Sequence, residues 1–517
     1  MEKTKVVVIA TIFYGCLSCS TSGTAAVPCW GRNFPKSSSL VCVCNATYCD
    51  TVEPETSLNP GSYAVYSTSK SGSRFVETVH NFSRKLDSKH VTIRIDTAVK
   101  KQRIIGFGGT FTDASGMNIA SLPDGAQQKL IDSYFAPDGI EYSLGRIPIA
   151  SNDMSTDIYS YDFTQGDTGL SKFTIAGYDH LYKLPYIDEA VVASHRNVSL
   201  FGTPWSSPGW MKTNNDMVGY GTVLPEMRKV YANYLARFLR EYESFMFHGR
   251  MWGLTTQSSP SRGCSNVSRP DYQSMCWTPE EMRDWIIQDL KPSLNEYGYG
   301  HIKLITVDDS RAVFPDWMKA FTDFAAWGAV DGFAVQWYND STVPPAVLSD
   351  AHAKFPDKFI LGSEACIHET NAVELGSWER GEKMGKSVFQ DMQNYVAGFT
   401  HNSLAVDMTG GPSWVKNFAD SPVVVDAGKK EFYKQPMFYI LGHFSKFVPP
   451  GSVVVGIIAD DMPSTPAVAF LRPDGSIVVN WANMRDANVD VQILYNDHVI
   501  EFTMEARSIH SFIWDTK

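Results

Sequence analysis

The sequence has no low-complexity tract, no cluster of basic residues and no long apolar run beyond its first residues. Its 517 residues include 45 basic and 56 acidic side chains, a formal net charge of −11 at pH 7. A surface without concentrated positive charge suits a phosphate backbone poorly, so nucleic acid is excluded as an expected partner. No later run approaches the roughly 20 apolar residues of a membrane-spanning helix.

Two catalytic motifs are also missing. The chain contains no H-E-x-x-H string, which argues against a metallohydrolase, and no G-x-S-x-G string, which argues against a serine nucleophile. We therefore expect neither a metal nor a cofactor.

The N-terminus has the pattern of a secretory signal peptide. Lys3 and Lys5 precede an apolar core at 6–17, and small residues follow at Ala25 and Ala26. We expect residues 1–26 to be removed and the mature protein to be soluble, in the lysosome or outside the cell. Five N-x-Ser/Thr sequons are predicted glycosylation sites: Asn45, Asn81, Asn197, Asn266 and Asn339.

Four cysteines crowd into 21 residues after the signal segment: Cys29, Cys42, Cys44 and Cys49. In an oxidising compartment this cluster predicts two disulfides, and a zinc site is disfavoured because no histidine lies nearby. Cys264 and Cys276 could form a third bridge, which would leave Cys366 as a lone thiol.

A repeated pattern between about residues 102 and 410 predicts a (β/α)8 barrel. Short β-rich runs that end in polar or aromatic residues alternate with amphipathic or mixed segments. The eight runs are 103–111, 142–149, 198–203, 251–256, 302–307, 332–337, 359–363 and 403–406. Barrel enzymes build their sites at the C-terminal ends of such strands.

Short alternating strands after residue 450 predict a β-sandwich. They lie at 453–457, 467–471, 477–481, 491–494 and 509–514. The N-terminal candidates 64–66 and 91–95 are expected to complete it, which makes this domain discontinuous.

Several strand ends carry uncommon strings, namely GFGGTFTDA (106–114), RIPIASND (146–153), TPWSSPGWMKTN (203–214), VDDSR (307–311), WYND (337–340), GSEAC (362–366) and GGPSWVKNFADSP (410–422). Together with VCVCNATYC (41–49) and FYKQPMFYILGHFSKF (432–447), they resemble the glucosylceramidase, or lysosomal acid β-glucosidase, family of glycoside hydrolases over nearly the whole mature chain.

The resemblance implies a barrel with two accessory β domains. It divides the chain into a small disulfide-stapled lobe (27–53 with about 410–435), a sandwich (54–98 with about 450–517), a catalytic-type barrel (99–409) and a segment between domains (436–449). It also implies that Cys29 pairs with Cys42 and Cys44 with Cys49.

The implied reaction is hydrolysis of the β-glucosyl bond of glucosylceramide, or of another β-glucoside, with retention. A lipid-presenting activator protein and a membrane surface are further partners that the resemblance leaves open. Retention requires a nucleophilic carboxylate and a second carboxyl group that acts first as acid and then as base.

The resemblance assigns the nucleophile to Glu364, after the apolar run 359–361. Further residues fall on glucose-pocket positions: Arg146, Asp153, Trp205, Tyr338 and Asn417. Asp153 would accept hydrogen bonds from sugar hydroxyls, Trp205 would cover an apolar sugar face, and Arg146 would orient the carboxylates. A purely structural ion pair is the alternative for Arg146 and Asp153.

The fourth strand end departs from the family. Where the family carries Asn-Glu-Pro, this chain has Ser258-Ser259-Pro260, so Ser259 occupies the acid/base position and Ser258 that of the residue expected to hold the sugar 2-hydroxyl. Loss of positioned acid–base catalysis costs about 10²- to 10⁴-fold in rate. Other departures lie nearby: Gln336 replaces a His, Asn402 replaces a Trp, and a longer loop at 260–279 leaves Tyr272 as an uncertain aglycone-side match.

Two functions remain open. In one, the protein is a glucosylceramidase-type hydrolase that works slowly or takes its proton from a surrogate such as His401 or a carboxylate of the rebuilt loop. In the other, it is a catalytically silent homologue that binds a glycolipid or a protein partner.

Overall fold

A computed structural model of the chain describes residues 26–52, 55, 57–83, 90–264, 271–459 and 464–516. Residues 1–25 of the expected signal peptide and the sequon residue Asn266 lie outside the described residues. Within this part of the chain, none of the helices has both the length and the apolar character needed to cross a membrane.

The described residues form strands and helices in the following order. The strands are β1 Gly31–Arg32, β2 Val41–Asn45, β3 Ser62–Ser69, β4 Val76–Asn81, β5 Val91–Arg103, β6 Gly106–Thr110, β7 Leu144–Ile149, β8 Ser199–Pro204, β9 Met251–Thr255, β10 Lys303–Ser310, β11 Gly332–Gln336, β12 Phe359–Glu364, β13 Val396–His401, β14 Val406–Asp407, β15 Val423–Asp426, β16 Glu431–Lys434, β17 Val453–Ala459, β18 Ala467–Leu471, β19 Ile477–Asn483, β20 Val489–Tyr495, β21 His498–Met504 and β22 Ser508–Trp514. The helices are α1 Asp113–Ala120, α2 Asp124–Phe135, α3 Gly177–Tyr182, α4 Leu184–Ala193, α5 Arg228–Phe245, α6 Pro279–Trp285, α7 Lys291–Glu296, α8 Phe314–Ala320, α9 Phe324–Ala329, α10 Ala346–Lys354, α11 Trp378–Gln393 and α12 Pro436–Ser445.

The central element is a closed barrel of eight parallel strands, β6 to β13, which confirms the predicted (β/α)8 fold. At least one helix follows each of the first seven barrel strands. The barrel closes between β13 and β6, where His401 lies opposite Gly109. Because all eight strands run parallel, their C-terminal ends meet at one face, and this face presents the residue that ends each strand.

The eighth barrel strand lies earlier than predicted. It is β13, whereas the run expected at 403–406 contributes Val406 to β14, which pairs with β15 in a separate small sheet. Strand β13 was difficult to predict from the sequence, because only Asn394 and Tyr395 separate it from α11 and because Gly398 and His401 interrupt its apolar run.

Helix α5 shows how sequence periodicity builds the wall of the barrel. Its apolar residues from Val230 to Tyr242 recur at helical spacing and are buried, whereas Phe245 at its end is exposed. Burial of each large apolar side chain contributes about 1.5–3 kcal/mol, as an upper estimate. Leu235 is fully buried, so Leu235→Ala would cost about 2–5 kcal/mol.

Strands from both ends of the chain form one nine-stranded sheet, in the order β21-β20-β5-β17-β18-β19-β22-β3-β4. Tyr63, Trp481 and Trp514 are buried in its core. The expected discontinuous β-sandwich is therefore confirmed. Strand β5 continues to Arg103, which pairs with Val453, so this sheet extends past the boundary expected at residue 98.

A five-stranded sheet, β1-β2-β16-β15-β14, forms the small lobe. The disulfides Cys29–Cys42 and Cys44–Cys49 connect its N-terminal part, as the family resemblance implied. The Lys434 ammonium lies 2.8 Å from the buried Asp50 carboxylate and links β16 to the segment that follows the second bridge.

Helix α12 is buried along its whole length and contacts α11 and β6 of the barrel as well as β22 of the nine-stranded sheet. His443 on this helix forms hydrogen bonds with Ser511 (2.8 Å) and Thr68 (2.9 Å). The polar contacts of α12 therefore hold the sandwich against the barrel.

Candidate active site

A cavity of about 820 Å³ opens at the C-terminal face of the barrel. Its lining includes seven of the eight residues that the family resemblance assigned to catalysis or substrate binding: Asp153, Trp205, Ser258, Ser259, Tyr338, Glu364 and Asn417. Arg146, the eighth, is fully buried and contacts the nucleophile candidate. The structure thus brings the eight residues together at one site.

Glu364 ends β12, and two donors hold its carboxylate. The Tyr338 hydroxyl donates to Oε1 at 2.8 Å, and the Arg146 guanidinium donates to Oε2. Burial and the adjacent Glu364 raise the pKa of Tyr338 well above its ordinary value, so its hydroxyl keeps the proton that it donates. A carboxylate held on both oxygens has a fixed orientation, which suits a nucleophile.

Arg146 is itself fixed from three sides. Its Nε donates to Thr203 Oγ1 at 3.1 Å, its second terminal nitrogen lies 3.1 Å from Asp308 Oδ2, and its guanidinium lies 4.8 Å from the centre of the Trp205 ring. Burial opposes its charge, but Asp308 and Glu364 outweigh burial and raise the pKa of Arg146. These contacts also connect Glu364 to Trp205.

Asp153 does not form the structural ion pair with Arg146 that was considered as an alternative. Its Oδ2 accepts a hydrogen bond from the Asn417 side-chain amide at 2.8 Å, whereas the carboxylates bound to Arg146 are Asp308 and Glu364. Burial, followed by the charge of Glu364, raises the pKa of Asp153, and the Asn417 hydrogen bond opposes that rise. Asp153 is placed to accept hydrogen bonds from a ligand in the cavity.

At the fourth strand end, Ser258 and Ser259 form a polar arrangement with Gln336 and the Asp308 carboxylate. Ser259 has a φ of +47°, and its hydroxyl donates to Gln336 Oε1 at 2.8 Å. Gln336 Nε2 donates to the Asp308 main-chain carbonyl at 2.9 Å, to Asp308 Oδ1 at 3.1 Å and to Ser258 Oγ at 3.3 Å. Ser259 and Gln336 are both departures from the family pattern, and each supplies the other's hydrogen-bond partner.

The backbone at this strand end is held as firmly as the side chains. The Ser258 N–H donates to the Pro204 carbonyl at 2.9 Å, and the Ser259 N–H donates to the Asp308 carbonyl at 2.8 Å. The turn that would present an acid to the cavity is therefore intact, while the group that it presents is a hydroxyl.

His401 is not a surrogate acid, contrary to the first alternative raised from the sequence. It is fully buried and lies outside the cavity lining, with its ring 6.2 Å from that of Tyr134 on α2 and 5.8 Å from that of Tyr142. Burial lowers the pKa of His401 to about 4. Because side chains alternate along a strand, this last residue of β13 faces the helices rather than the cavity.

The rebuilt loop does contribute to the cavity. Asp271, the only carboxylate between residues 260 and 279, lines it together with Tyr272. The Arg262 guanidinium lies 5.7 Å from the centre of the Tyr272 ring. A Cys264–Cys276 disulfide braces the loop and leaves Cys366 as a buried free thiol, as the sequence allowed.

Asn402, the remaining departure, does not line the cavity. It is buried, its N–H donates to the Ala365 carbonyl at 2.8 Å, and its side-chain oxygen accepts from the Ser403 N–H at 2.9 Å. This contact supports the backbone that follows Glu364.

Sequence reasoning missed one wall of the cavity, formed by Lys383, Lys386, Ser387 and Gln390 of α11. Their spacing of three and four residues places them on one helix face, which was a usable signal. This signal was not recognised, because the site residues of barrel enzymes are usually sought at strand ends rather than on helix faces.

Comparison with known proteins identifies the class. A model described as the glycosyl hydrolase family 30 TIM-barrel domain matches residues 104–448, and the family 30 beta sandwich domain matches residues 451–512. The chain belongs to glycosyl hydrolase family 30.

Individual relatives refine this assignment. The chain is 38% identical over 499 residues to the lysosomal acid glucosylceramidase of Mus musculus, covering 95% of this chain and 96% of that protein. It is 26% identical over 396 residues to an endo-1,6-β-D-glucanase of Trichoderma harzianum, covering 73% and 77% of the two chains. The crystal structure of SrfJ from Salmonella typhimurium superimposes with a TM-score of 0.81 at 25% identity, covering 88% of this chain and 100% of that one. The predicted glucosylceramidase-like glycosidase family is thus confirmed.

Proposed function

We propose that this protein is a retaining β-glucosidase of the glucosylceramidase type in which nucleophilic attack is kept and acid–base assistance is weakened. The observation that carries the proposal is the Glu364 carboxylate, held by Arg146 and Tyr338 at the wall of a cavity that Asp153 and Trp205 also line. Glu364 attacks the anomeric carbon of a bound β-glucoside, and the bond to the aglycone breaks as a glycosyl-enzyme forms.

Ser259 makes the two halves of the reaction unequal. An alkoxide such as that of ceramide leaves badly unless it is protonated, whereas an acidic phenol leaves as phenolate with little help. We therefore infer hydrolysis of glucosylceramide that is about 10²- to 10⁴-fold below that of an enzyme with the acid in place.

Formation of a glycosyl-enzyme tests the proposal directly. We expect a dinitrophenyl β-glucoside to release a burst of phenolate and to increase the intact mass of the protein by one glucosyl residue, attached to the peptide that contains Glu364. Tyr338→Phe should slow the burst without abolishing it, since Arg146 still holds the carboxylate. A protein that shows neither burst nor adduct would contradict the assignment.

A catalytically silent homologue that binds a glycolipid or a protein partner is the second candidate. The hydrogen bond between Ser259 and Gln336 favours it, because this arrangement completes the fourth strand end without an acid. In that case glucosides would bind in the cavity, but the adduct on Glu364 would not form.

We further propose passage through the secretory pathway to the lysosome or the cell exterior. The signal segment, the disulfides and the exposed sequon residues Asn81, Asn197 and Asn339 support this location, and Asn45 is half-buried. Contact with a membrane surface or a lipid-presenting activator protein would deliver glucosylceramide to the cavity. A loss of mass after treatment with an N-glycanase would test glycosylation.

A further inference from the structure

The cavity has an outer wall that is positively charged. Lys383 and Lys386 lie three residues apart on α11, so their side chains share one face of the helix. Both line the cavity that contains Glu364, and both are exposed. The chain as a whole carries a net charge of −11, so this wall is not part of a generally basic surface.

Lys383 connects the outer wall to the nucleophile. Its ammonium lies 5.3 Å from the centre of the Trp337 ring and 3.0 Å from the Glu369 carboxylate. The Trp337 N–H donates to the main-chain carbonyl of Glu364 at 3.0 Å. The outer wall is therefore separated from Glu364 by one hydrogen-bonded residue, and Ser259, at the position from which a leaving aglycone would be protonated, lines the same cavity.

The side chain of Lys386 has no ion-pair partner among the described residues of this wall. Within the described part of the chain, no carboxylate lies within ion-pair distance of its ammonium. The acidic residue on the same wall, Asp340, is bound by the Arg311 guanidinium and accepts a hydrogen bond from Ser387 at 2.8 Å. Glu364 is likewise bound by Arg146. These carboxylates are thus committed to other partners.

We propose that this outer wall binds an anionic group, a carboxylate, sulfate or phosphate, on the aglycone of the substrate, with Lys386 as its main contact. The inference rests on the proposed β-glucosidase function and names its substrate class. It also accounts for the polar character of the outer wall, where Asn339, Ser341 and Gln390 join the lysines and offer few contacts to an aliphatic chain.

The charge balance of the first step agrees with such a substrate. A Glu364 oxygen forms a bond to the anomeric carbon, the bond from that carbon to the aglycone oxygen breaks, and its electron pair departs with the aglycone as a phenolate or carboxylate. No proton moves, so the absence of an acid at Ser259 does not block the step. The Lys386 ammonium pairs with the anionic substituent and takes no part in the bond changes.

Two matched substrates test this proposal. One is a nitrophenyl β-glucoside with a ring carboxylate, and the other carries the neutral primary amide at the same ring position. We expect kcat/KM for phenolate release to be about fivefold higher for the carboxylate, the size of one exposed charge pair. Lys386→Gln should bring the ratio close to one, and Lys386→Glu should invert it. Added salt should lower the ratio in the native protein.

Controls separate the possible failures. Lys319→Gln removes an exposed lysine that pairs with Asp316 away from the cavity, and it should leave the ratio unchanged. The thermal melting temperature should be the same in the native protein and in Lys386→Gln, which reports intact folding. If neither glucoside forms an adduct on Glu364, the proposed function fails. Equal kcat/KM values with an intact adduct would overturn the anion site alone. A ratio that persists in Lys386→Gln would assign the anion to another cation and overturn the role of Lys386.

Discussion

The fourth and seventh barrel strands end at the same cavity, yet they are equipped for different tasks. Glu364, at the end of the seventh, accepts hydrogen bonds from Arg146 and Tyr338 on its two carboxylate oxygens. Ser259, beyond the end of the fourth, donates its hydroxyl to Gln336. The two strand ends are separate local structures, so the side chain at one can differ while the other keeps its contacts; under the proposed mechanism they carry attack and proton transfer respectively.

The main chain is hydrogen-bonded at both strand ends, so the two ends differ in their side chains. Both strand ends keep their main-chain hydrogen bonds, to the Asp308 carbonyl at Ser259 and to the Trp337 N–H at Glu364. The difference therefore lies in side-chain chemistry and not in a collapsed scaffold.

The largest effect is expected at the seventh strand end. Glu364→Gln should abolish both formation and breakdown of the glycosyl-enzyme, because an amide neither attacks the anomeric carbon nor leaves as a carboxylate. Burst kinetics and intact mass measure this loss. Glu296→Gln, which changes an exposed glutamate paired with Lys229, is the matched control and should retain the adduct. An adduct that still forms in Glu364→Gln would mean that another residue is the nucleophile.

The next effect is a gain at the fourth strand end. Ser258→Asn and Ser259→Glu together should raise glucosylceramide turnover by about 10²- to 10⁴-fold, since they restore the 2-hydroxyl contact and the acid. Release of ceramide measures it, and Ser259→Ala should change little. If the native protein already hydrolyses glucosylceramide efficiently and loses that activity in Asp271→Asn, the loop carboxylate is a surrogate acid and our account of Ser259 is wrong.

A smaller effect should reveal the missing base. The glycosyl-enzyme formed from an aryl glucoside should accumulate, because water attacks slowly without deprotonation, and azide should speed its breakdown severalfold. A β-glucosyl azide product with retained configuration would identify the step. Turnover that is insensitive to azide would indicate that deglycosylation is assisted by another group.

Substitutions in the cavity should weaken ligand binding less than they reduce the rate of hydrolysis. A glucose-like iminosugar should bind to the native protein, and Asn417→Ala should weaken that binding by about 1–3 kcal/mol in calorimetry. Asn417 opposes the rise in the pKa of Asp153, so its removal lifts that pKa further. Because the ionised carboxylate is the acceptor, binding of a neutral thioglucoside should fall away at a higher pH in the variant as the solution is acidified. An unchanged pH profile would remove Asp153 from the binding contacts.

The smallest effect concerns the segments that follow the two strand ends. Non-reducing peptide mapping should find Cys264 joined to Cys276 after the fourth strand and Cys366 unpaired after the seventh, with Cys29–Cys42 and Cys44–Cys49 in the small lobe. Cys366 is buried but borders the cavity, so a bulky thiol reagent should modify it only after unfolding. Any other pairing would undermine the alignment to the family in that segment.

The sequence alone determined the features that depend on order and composition. The repeated β-rich runs predicted the barrel, the alternating C-terminal runs predicted the sandwich, and the strings around Arg146, Glu364 and Asn417 identified the family. Ser259 was recognisable as a departure because the residues before it kept their pattern. These signals are local, since each can be read within a few consecutive residues.

Only the tertiary structure decided which side chains meet. His401 closes the last barrel strand, yet it faces α2, because a shift of one residue along a strand turns a side chain to the opposite face. Register shifts between β11 and β12, and between β12 and β13, add to this difficulty near Glu364. Ser259 pairs with Gln336 across 77 residues of sequence, and Lys386 shares the cavity wall with Asn339 and Ser341. These contacts form only when the barrel closes.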